Sequence, residues 1–382
     1  MVFKLLFTIL PFLLLLEMEW SWVRKLAAGK RARAGWRAFL LVCGSKFLAF
    51  GLLGGDAFAP ELPEKAIWLW NWLYSGLVIL FGLALATRLV AAAFRVPPSR
   101  LARIRMFALP AVAWGLSAWG VWSGVRVPDV VETEIGFECL PPELDGYRIV
   151  QLTDLHASSA AEAWRTRAIV ERANALDADL VCLTGDYADC PSSSSDRLEP
   201  LVGLKAKDGV WAVTGNHEYY RDREGWREWF ARKGFRFLEN ECAFPRPNLA
   251  LGGVPDETAE TFGETPPDPA AAFASATNGE FRILLSHRPL RARENFAATR
   301  FNLQLSGHTH GGIMPILSWL VTWHNNGYVR GKYEFSWRDH TLYVSPGCGQ
   351  WAGFPVRFFD PAEITVVTLR RERGEKPEKG VR

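Results

Sequence analysis

Apolar and polar positions follow two different rhythms along the chain. Up to about residue 124 the apolar residues come in long runs, roughly 3–22, 38–53, 66–86 and 107–122. Each approaches the roughly 20 residues that a helix needs to cross the hydrocarbon core of a bilayer. Pro11 and Lys46 interrupt the first two. Trp20, Trp22, Trp36, Trp68, Trp70, Trp72 and Trp122 fall near the ends of the runs, where indole rings favour the membrane interface. This pattern predicts about four transmembrane helices in an all-α domain over residues 1–125.

Past Val125-Arg126-Val127-Pro128 the rhythm changes to short apolar stretches separated by helix-period segments. Strands are predicted at 147–152, 179–184, 209–214, 249–254, 281–285, 301–305, 341–344 and 363–369. Trp164, Ala168, Ile169, Ala173 and Leu176 mark one face of a helix, and an aromatic-rich helix surrounds Trp226 and Phe230. Alternating strands and helices without an internal repeat predict an α/β domain over 126–370. A charged tail, 371–382, follows.

Charge sharpens the division. Residues 1–125 hold 14 Lys/Arg against 5 Asp/Glu, a net of +9, which leaves a net of −6 for the rest. An acidic second half does not hold nucleic acid by bulk charge. Within the first half, Arg24, Lys25, Lys30, Arg31, Arg33 and Arg37 crowd the first loop, and Arg88, Arg95, Arg100, Arg103 and Arg105 the third. Asp56, Glu61 and Glu64 sit in the second, beside a single Lys65. The positive-inside rule therefore places the first and third loops in the cytoplasm and everything after the fourth run outside it, in a cell inner membrane. Reading 1–28 as a cleaved signal would strand the densest arginine cluster on the outer face. The six cysteines have no metal-ribbon spacing, and spacing alone leaves any disulfide open.

The chemistry gathers where predicted strands end. Asp154 and His156 follow the first, Asp186 the second, Asn216 and His217 the third, His287 the fifth, and His308 and His310 the sixth. Five of the seven histidines are used this way. Side chains at the carboxyl ends of different strands converge in the crevice above a sheet. Imidazole with carboxylate suits Mn, Fe or Zn rather than Ca, and the set is too large for one ion. Two divalent ions sharing a bridging carboxylate, with Mn favoured, would use it fully.

Asp-x-His at 154–156, Gly-Asp at 185–186, Gly-Asn-His-Glu at 215–218, His287 and Gly-His-x-His at 307–310, in this order, resemble the calcineurin-like metallophosphoesterase superfamily. Leu342-Tyr343-Val344-Ser345-Pro346-Gly347 and Phe354-Pro355-Val356-Arg357-Phe358 are similar to its bacterial membrane-associated branch. The resemblance implies a β-sandwich flanked by helices, in four αββα layers. It implies that Asp154, His156 and His310 bind one metal, that Asp186 bridges both, and that Asn216, His287 and His308 hold the second. His217 resembles the family's catalytic non-ligand histidine, and Asp189 the carboxylate that orients it. Glu218 departs from the Asp of many members. Cys190 stands where protein phosphatases carry a phosphate-gripping arginine, which weakens that reading.

The expectation is a membrane-anchored two-metal phosphoesterase that hydrolyses phosphodiester or phosphomonoester bonds of an envelope or lipid-linked substrate. The attacking group implied by the resemblance is a metal-bridging hydroxide. Trp351 and Phe354, either side of Gly353, offer an apolar lip for such a substrate. Hydrolysis of a UDP-diacylglucosamine-type pyrophosphate is the alternative within the family, but that substrate lies on the cytoplasmic face. A catalytically silent metal-binding sensor is the alternative from another class, and the full ligand set with His217 tells against it. Membrane lipids are the expected surroundings, with no protein partner and no nucleic acid.

Overall fold

The computed structural model describes every residue except 1, 27, 97–103, 278, 314, 336–339 and 373–382. Arg100 and Arg103 of the third loop and most of the charged tail thus lie outside the described residues. The chain forms two compact units. One comprises Met1–Arg126 with Ser158–Ala160 and Trp351–Phe358, the other Val127–Ala157, Ala161–Gln350 and Phe359–Arg382.

The first unit is helical: Val2–Ser21, Lys30–Gly44, Lys46–Gly54, Glu64–Ala93 and a helix over Ile104–Val125. Among the described residues, Glu64–Ala93 and Ile104–Val125 are each long and apolar enough to cross a membrane. The second predicted run is not one straight helix. It breaks at Ser45, and the pieces meet at 53°, so they make a third span only if the bent pair is counted as one. The first helix includes Lys4, Glu17 and Glu19, and these three charges keep it out of the strongly apolar set.

Lys46 shows how an apolar run tolerates a cation. Its side chain is fully buried, and Nζ donates to the Gly353 carbonyl at 2.5 Å. The rings of Phe47, Phe50, Tyr74 and Phe354 lie 4.5–5.5 Å from it, so quadrupoles replace much of the lost hydration. Trp351 stacks on Phe58 at 5.6 Å. Trp351 and Phe354 are therefore engaged inside this helical unit, and the apolar lip expected from them does not form.

In the second unit, two six-stranded sheets face each other. The strands are β1 Asp129–Phe137, β2 Arg148–Leu152, β3 Leu180–Thr184, β4 Val210–Val213, β5 Arg236–Phe237, β6 Glu241–Arg246, β7 Leu249–Gly253, β8 Phe281–Leu285, β9 Leu303–Ser306, β10 Gly331–Glu334, β11 Thr341–Val344 and β12 Glu363–Arg371. The orders are β1-β12-β2-β3-β4-β5 and β10-β11-β9-β8-β7-β6. In the first sheet β2, β3 and β4 run parallel; in the second, β7, β8, β9 and β11 do.

Period-two alternation builds the layers. Leu180 and Cys182 of β3 and Phe281, Ile283 and Leu285 of β8 point between the sheets, with Leu251 and Leu305. Val181 and Leu183 point the other way, onto Ile169, Val170 and Ala173 of helix Ala163–Asn174 and onto Trp226, Trp229 and Phe230 of helix Arg223–Arg232. Leu284 of β8 meets Phe273 and Phe296 on the outside of the second sheet. This is the expected helix–sheet–sheet–helix order. Helix Ala163–Asn174 buries Arg165, Thr166, Ile169, Val170 and Ala173, whereas Trp164 is exposed, so the predicted face is rotated. Arg370 and Arg371 extend β12 beyond the predicted strand at 363–369.

Candidate metal centre

The candidate ligands follow β2, β3, β4, β8 and β9, all at the carboxyl ends of parallel neighbours. Three loops come from the first sheet and two from the second, and short backbone bonds lace them together. Asp154 N donates to Gly185 O at 3.0 Å, His156 N to Asp186 O at 3.1 Å, and Gly307 N to His287 O at 2.9 Å. His287 Nδ1 pairs with Thr184 O at 2.7 Å, and Gln151 Nε2 donates to Ser306 O at 2.9 Å, so each sheet steadies the other's loop.

Backbone geometry explains the glycines. Asp154, His156, Asp186, His308 and His310 all take positive φ, between 48° and 72°. Non-glycine residues rarely adopt it, and such strain is held in place by surrounding structure at functional sites. The glycines make room for what these residues carry. A Cβ on Gly185 would lie 2.7 Å from His287 Nδ1, and one on Gly347 the same distance from Asp154 Cβ. Gly215 and Gly307 similarly abut the Asp186 and Asp154 carboxylates.

Two groups of donors result. Asp154, His156 and His310 form one, and Asp186, His287 and His308 the other, with the ligand atoms of each group within 4.8 Å of one another. His156 Nε2 and His310 Nε2 face each other at 3.1 Å, and His156 Nε2 is 3.8 Å from Asp186 Oδ2. Asp186 Oδ2 is also 3.2 Å from His287 Nε2, so this carboxylate lies between the groups. His287 Nε2, despite its 3.2 Å approach to Asp186 Oδ2, makes no hydrogen bond of good geometry, and Asn216 Oδ1 is buried without a hydrogen-bond partner. Buried polar atoms are rarely left unmade. Buried oxygen and nitrogen atoms without hydrogen bonds, next to a carboxylate–imidazole cluster, are what a cation site offers, so the residues present suit a divalent pair.

Beside these groups, Asp189 Oδ1 accepts from two rings: His156 Nδ1 at 2.9 Å and His217 Nδ1 at 2.6 Å. A carboxylate on Nδ1 fixes that proton and leaves each Nε2 for other work. His217 N donates to Asp186 Oδ1 at 2.8 Å, and the His217 ring keeps 22 % side-chain exposure, more than His156, His287 or His310. Burial opposes its protonation, but Asp186 and Asp189 outweigh burial and raise its pKa to about 9. Asp186 is likewise resisted by burial, yet His287, His217 and His156 hold its carboxyl well below the usual range.

Every residue singled out from the sequence comes to this one place: Asp154, His156, Asp186, Asp189, Asn216, His217, His287, His308 and His310. His324 and His340 do not join it; His324 is exposed and His340 pairs with Phe301 O. Two features escaped sequence reasoning. Asp189 holds His156 as well as His217, and Glu218 accepts from Asp186 N, Tyr187 N and Gly215 N at 3.0, 2.7 and 2.7 Å. The departure at Glu218 is thus a buried carboxylate tying two ligand loops together. Cys190 is buried with its thiol on Ala157 O, and the six cysteines are thiols rather than disulfides. Asp256, just after β7, is buried and paired with Arg288 at 2.9 Å.

Residues 147–312 match the model of the calcineurin-like phosphoesterase family. A transmembrane protein with metallophosphoesterase domain from Danio rerio is 34 % identical over 272 residues, which cover 67 % of this chain and 60 % of that one. A metallophosphoesterase of Helicobacter pylori strain J99 is 34 % identical over 251 residues, covering 65 % and 66 %. The metallophosphoesterase YkuE of Bacillus subtilis is 29 % identical over 271 residues, covering 68 % and 93 %. The chain spans less than two thirds of the length of the first two relatives.

Proposed function

We propose that the chain, whose residues 147–312 match the calcineurin-like phosphoesterase family, is a membrane-anchored, metal-dependent phosphoester hydrolase. The observation that carries the reading is the pair of adjoining donor groups with Asp186 between them, joined by two buried atoms, His287 Nε2 and Asn216 Oδ1, that make no hydrogen bond. Asp154, His156 and His310 would hold one divalent ion, Asn216, His287 and His308 the other, and Asp186 would touch both. When bound, such ions supply Lewis acidity and bring the pKa of a water toward neutrality.

The chain's own residues do the rest. Asp189 keeps the Nδ1 proton on His217 and so presents Nε2 toward the open side of the site. His217 Nε2, 4.0 Å from Asp186 Oδ2, is then the atom placed to hand a proton to a departing oxygen. His156, held by the same carboxylate, keeps its Nε2 aimed at the donor group. Glu218 locks the Asp186 and Gly215 backbones, so the bridging carboxylate is positioned before substrate arrives.

Anchoring is supported by two helices of spanning length and by the name of the Danio rerio relative. The loop charges support an extracytoplasmic domain in a cell inner membrane, where an envelope or lipid-linked phosphodiester or monoester is the substrate class. Protease added to intact spheroplasts should then cut the domain; protection would reverse the orientation. Hydrolysis of bis-p-nitrophenyl phosphate with Mn, compared with an Asp186→Asn variant, tests the activity. Equal rates remove the hydrolase reading. His217→Ala should lower turnover while metal content stays unchanged.

A further inference from the structure

The helix Pro315–His324 follows the turn His310–Gly312 and contains no Asp, Glu, Lys or Arg. A surface helix of a globular domain normally turns a charged face outward. Here, apart from His324 at the last position, the outward residues are apolar: Trp319, Leu320 and Trp323 are 63, 41 and 77 % exposed. Spacings of three and four put them on one side of the helix. The opposite side rests on the ligand turn, since a Cβ on Gly312 would lie 3.0 Å from Ser318 Cα. The helix is also well closed: Gly327 N returns to Thr322 O at 2.8 Å, and Asn326 Nδ2 donates to Leu290 O at 3.0 Å. A second apolar side chain stands at the same turn. Phe359 is 69 % exposed at φ 67°, and its neighbour Asp360 would meet a Cβ on Gly311 at 3.0 Å.

Three occupants could cover such a face: lipid, a second copy, or another protein. The exposed surface of the two indoles and the leucine is on the order of 350 Å². A stable protein interface needs about 800 Å² per partner. Indole rings favour the membrane–water interface, where the ring lies among acyl chains and the N–H meets headgroups. A helix without charged side chains has no electrostatic cost at that depth. A chain with spanning-length helices always has a bilayer within reach.

We infer that Trp319, Leu320 and Trp323, with Phe359, form a lipid-docking face that seats the His310 turn at headgroup level. Resting on the hydrolase reading above, this makes the preferred substrate a phosphoester in the headgroup of a bilayer-resident lipid, rather than a freely diffusing ester.

The test uses the full chain reconstituted in phosphatidylethanolamine–phosphatidylglycerol nanodiscs. With Cys139→Ser removing the exposed native thiol, an NBD fluorophore is attached at Trp319→Cys, Trp323→Cys or, as control, Glu260→Cys. Doxyl-labelled lipid should quench the first two several-fold and leave the control unchanged. Quenching equal to the control overturns docking, and concentration-dependent cross-linking at 319 in detergent would assign the face to a second copy instead. In a second arm, the Trp319→Ser/Trp323→Ser double variant should lose about tenfold on a nanodisc-embedded phosphodiester lipid and stay within twofold on bis-p-nitrophenyl phosphate. Equal losses on both would make the helix a mere support of the ligand turn and refute the substrate claim. Quenching without hydrolysis of either ester by the unsubstituted chain would remove the hydrolase reading and leave the docking face standing.

Discussion

Replacing Gly307 by alanine puts one methyl group against the first donor group. The added Cβ would lie closer than 3.0 Å to both Thr153 Oγ1 and Asp154 Oδ2, where ordinary contact starts at 3.4 Å. Both partners are fully buried and held, Thr153 Oγ1 by Thr184 O at 3.0 Å and Asp154 by the His308 N–H at 3.0 Å. Something must therefore move by about 1 Å. Gly307 does not have a left-handed backbone, so alanine adds no backbone strain and the change is a purely steric probe. Overpacking of this kind costs about 1–3 kcal/mol, which leaves a domain of ordinary stability folded. A displacement of about 1 Å at a reacting centre costs about 100-fold in rate. The expected variant is folded by denaturant titration, depleted in bound metal by elemental analysis, and about 100-fold lower in kcat/KM on bis-p-nitrophenyl phosphate. Gly203→Ala, whose Cβ would meet only Val170 Cγ1 at 3.8 Å, is the matched control and should be near neutral. Unchanged kcat/KM and metal content in Gly307→Ala would show that Asp154 is not a ligand.

Other perturbations separate positioning from packing. Asp189→Asn keeps the shape but weakens the hold on both His156 and His217, and should lower kcat/KM and metal affinity by about 10–100-fold, measured by metal titration beside steady-state kinetics. Leu285→Ala empties a fully buried position between the sheets and should cost about 2–5 kcal/mol in urea unfolding of the domain's transition; a loss below about 1 kcal/mol would mean that the sheets do not pack there. Maleimide should label exposed Cys139 in the native chain and leave Cys182 untouched until denaturant is added, because burial pushes the Cys182 thiol pKa up and hides its sulfur. Chelator should abolish turnover and lower the melting temperature of the domain, with both restored by added Mn; turnover that survives exhaustive chelation would refute a metal-dependent reaction.

The eight strands predicted from apolar patterning are the eight interior strands of the two sheets, and the four that escaped it, β1, β5, β6 and β10, are the four edges. An interior strand is covered on both faces and must be apolar along its length, as Leu180–Thr184 is. An edge strand has one neighbour and an open side, so Asp129–Phe137 and Gly331–Glu334 carry the charges of loops. The candidate ligands were legible for the same reason: each follows an unmistakable strand, and Asp186, Asn216 and His308 are set off by a preceding glycine that the geometry requires.

What stayed hidden was contact between positions far apart in the chain. Nothing local says that Asp189 serves two histidines, that Glu218 ties Asp186 to Gly215, or that Trp351 lies on Phe58 rather than at a lip. The helix Pro315–His324 was equally silent, because a short apolar segment reads as core until the fold shows which side is covered. The sequence alone thus determined which residues could meet, since strand period and glycine placement are local constraints. Which of them share a proton, and which apolar side chains are left facing outward, depended on the tertiary structure, because hydrogen-bond partners and burial are properties of packed neighbours rather than of the chain.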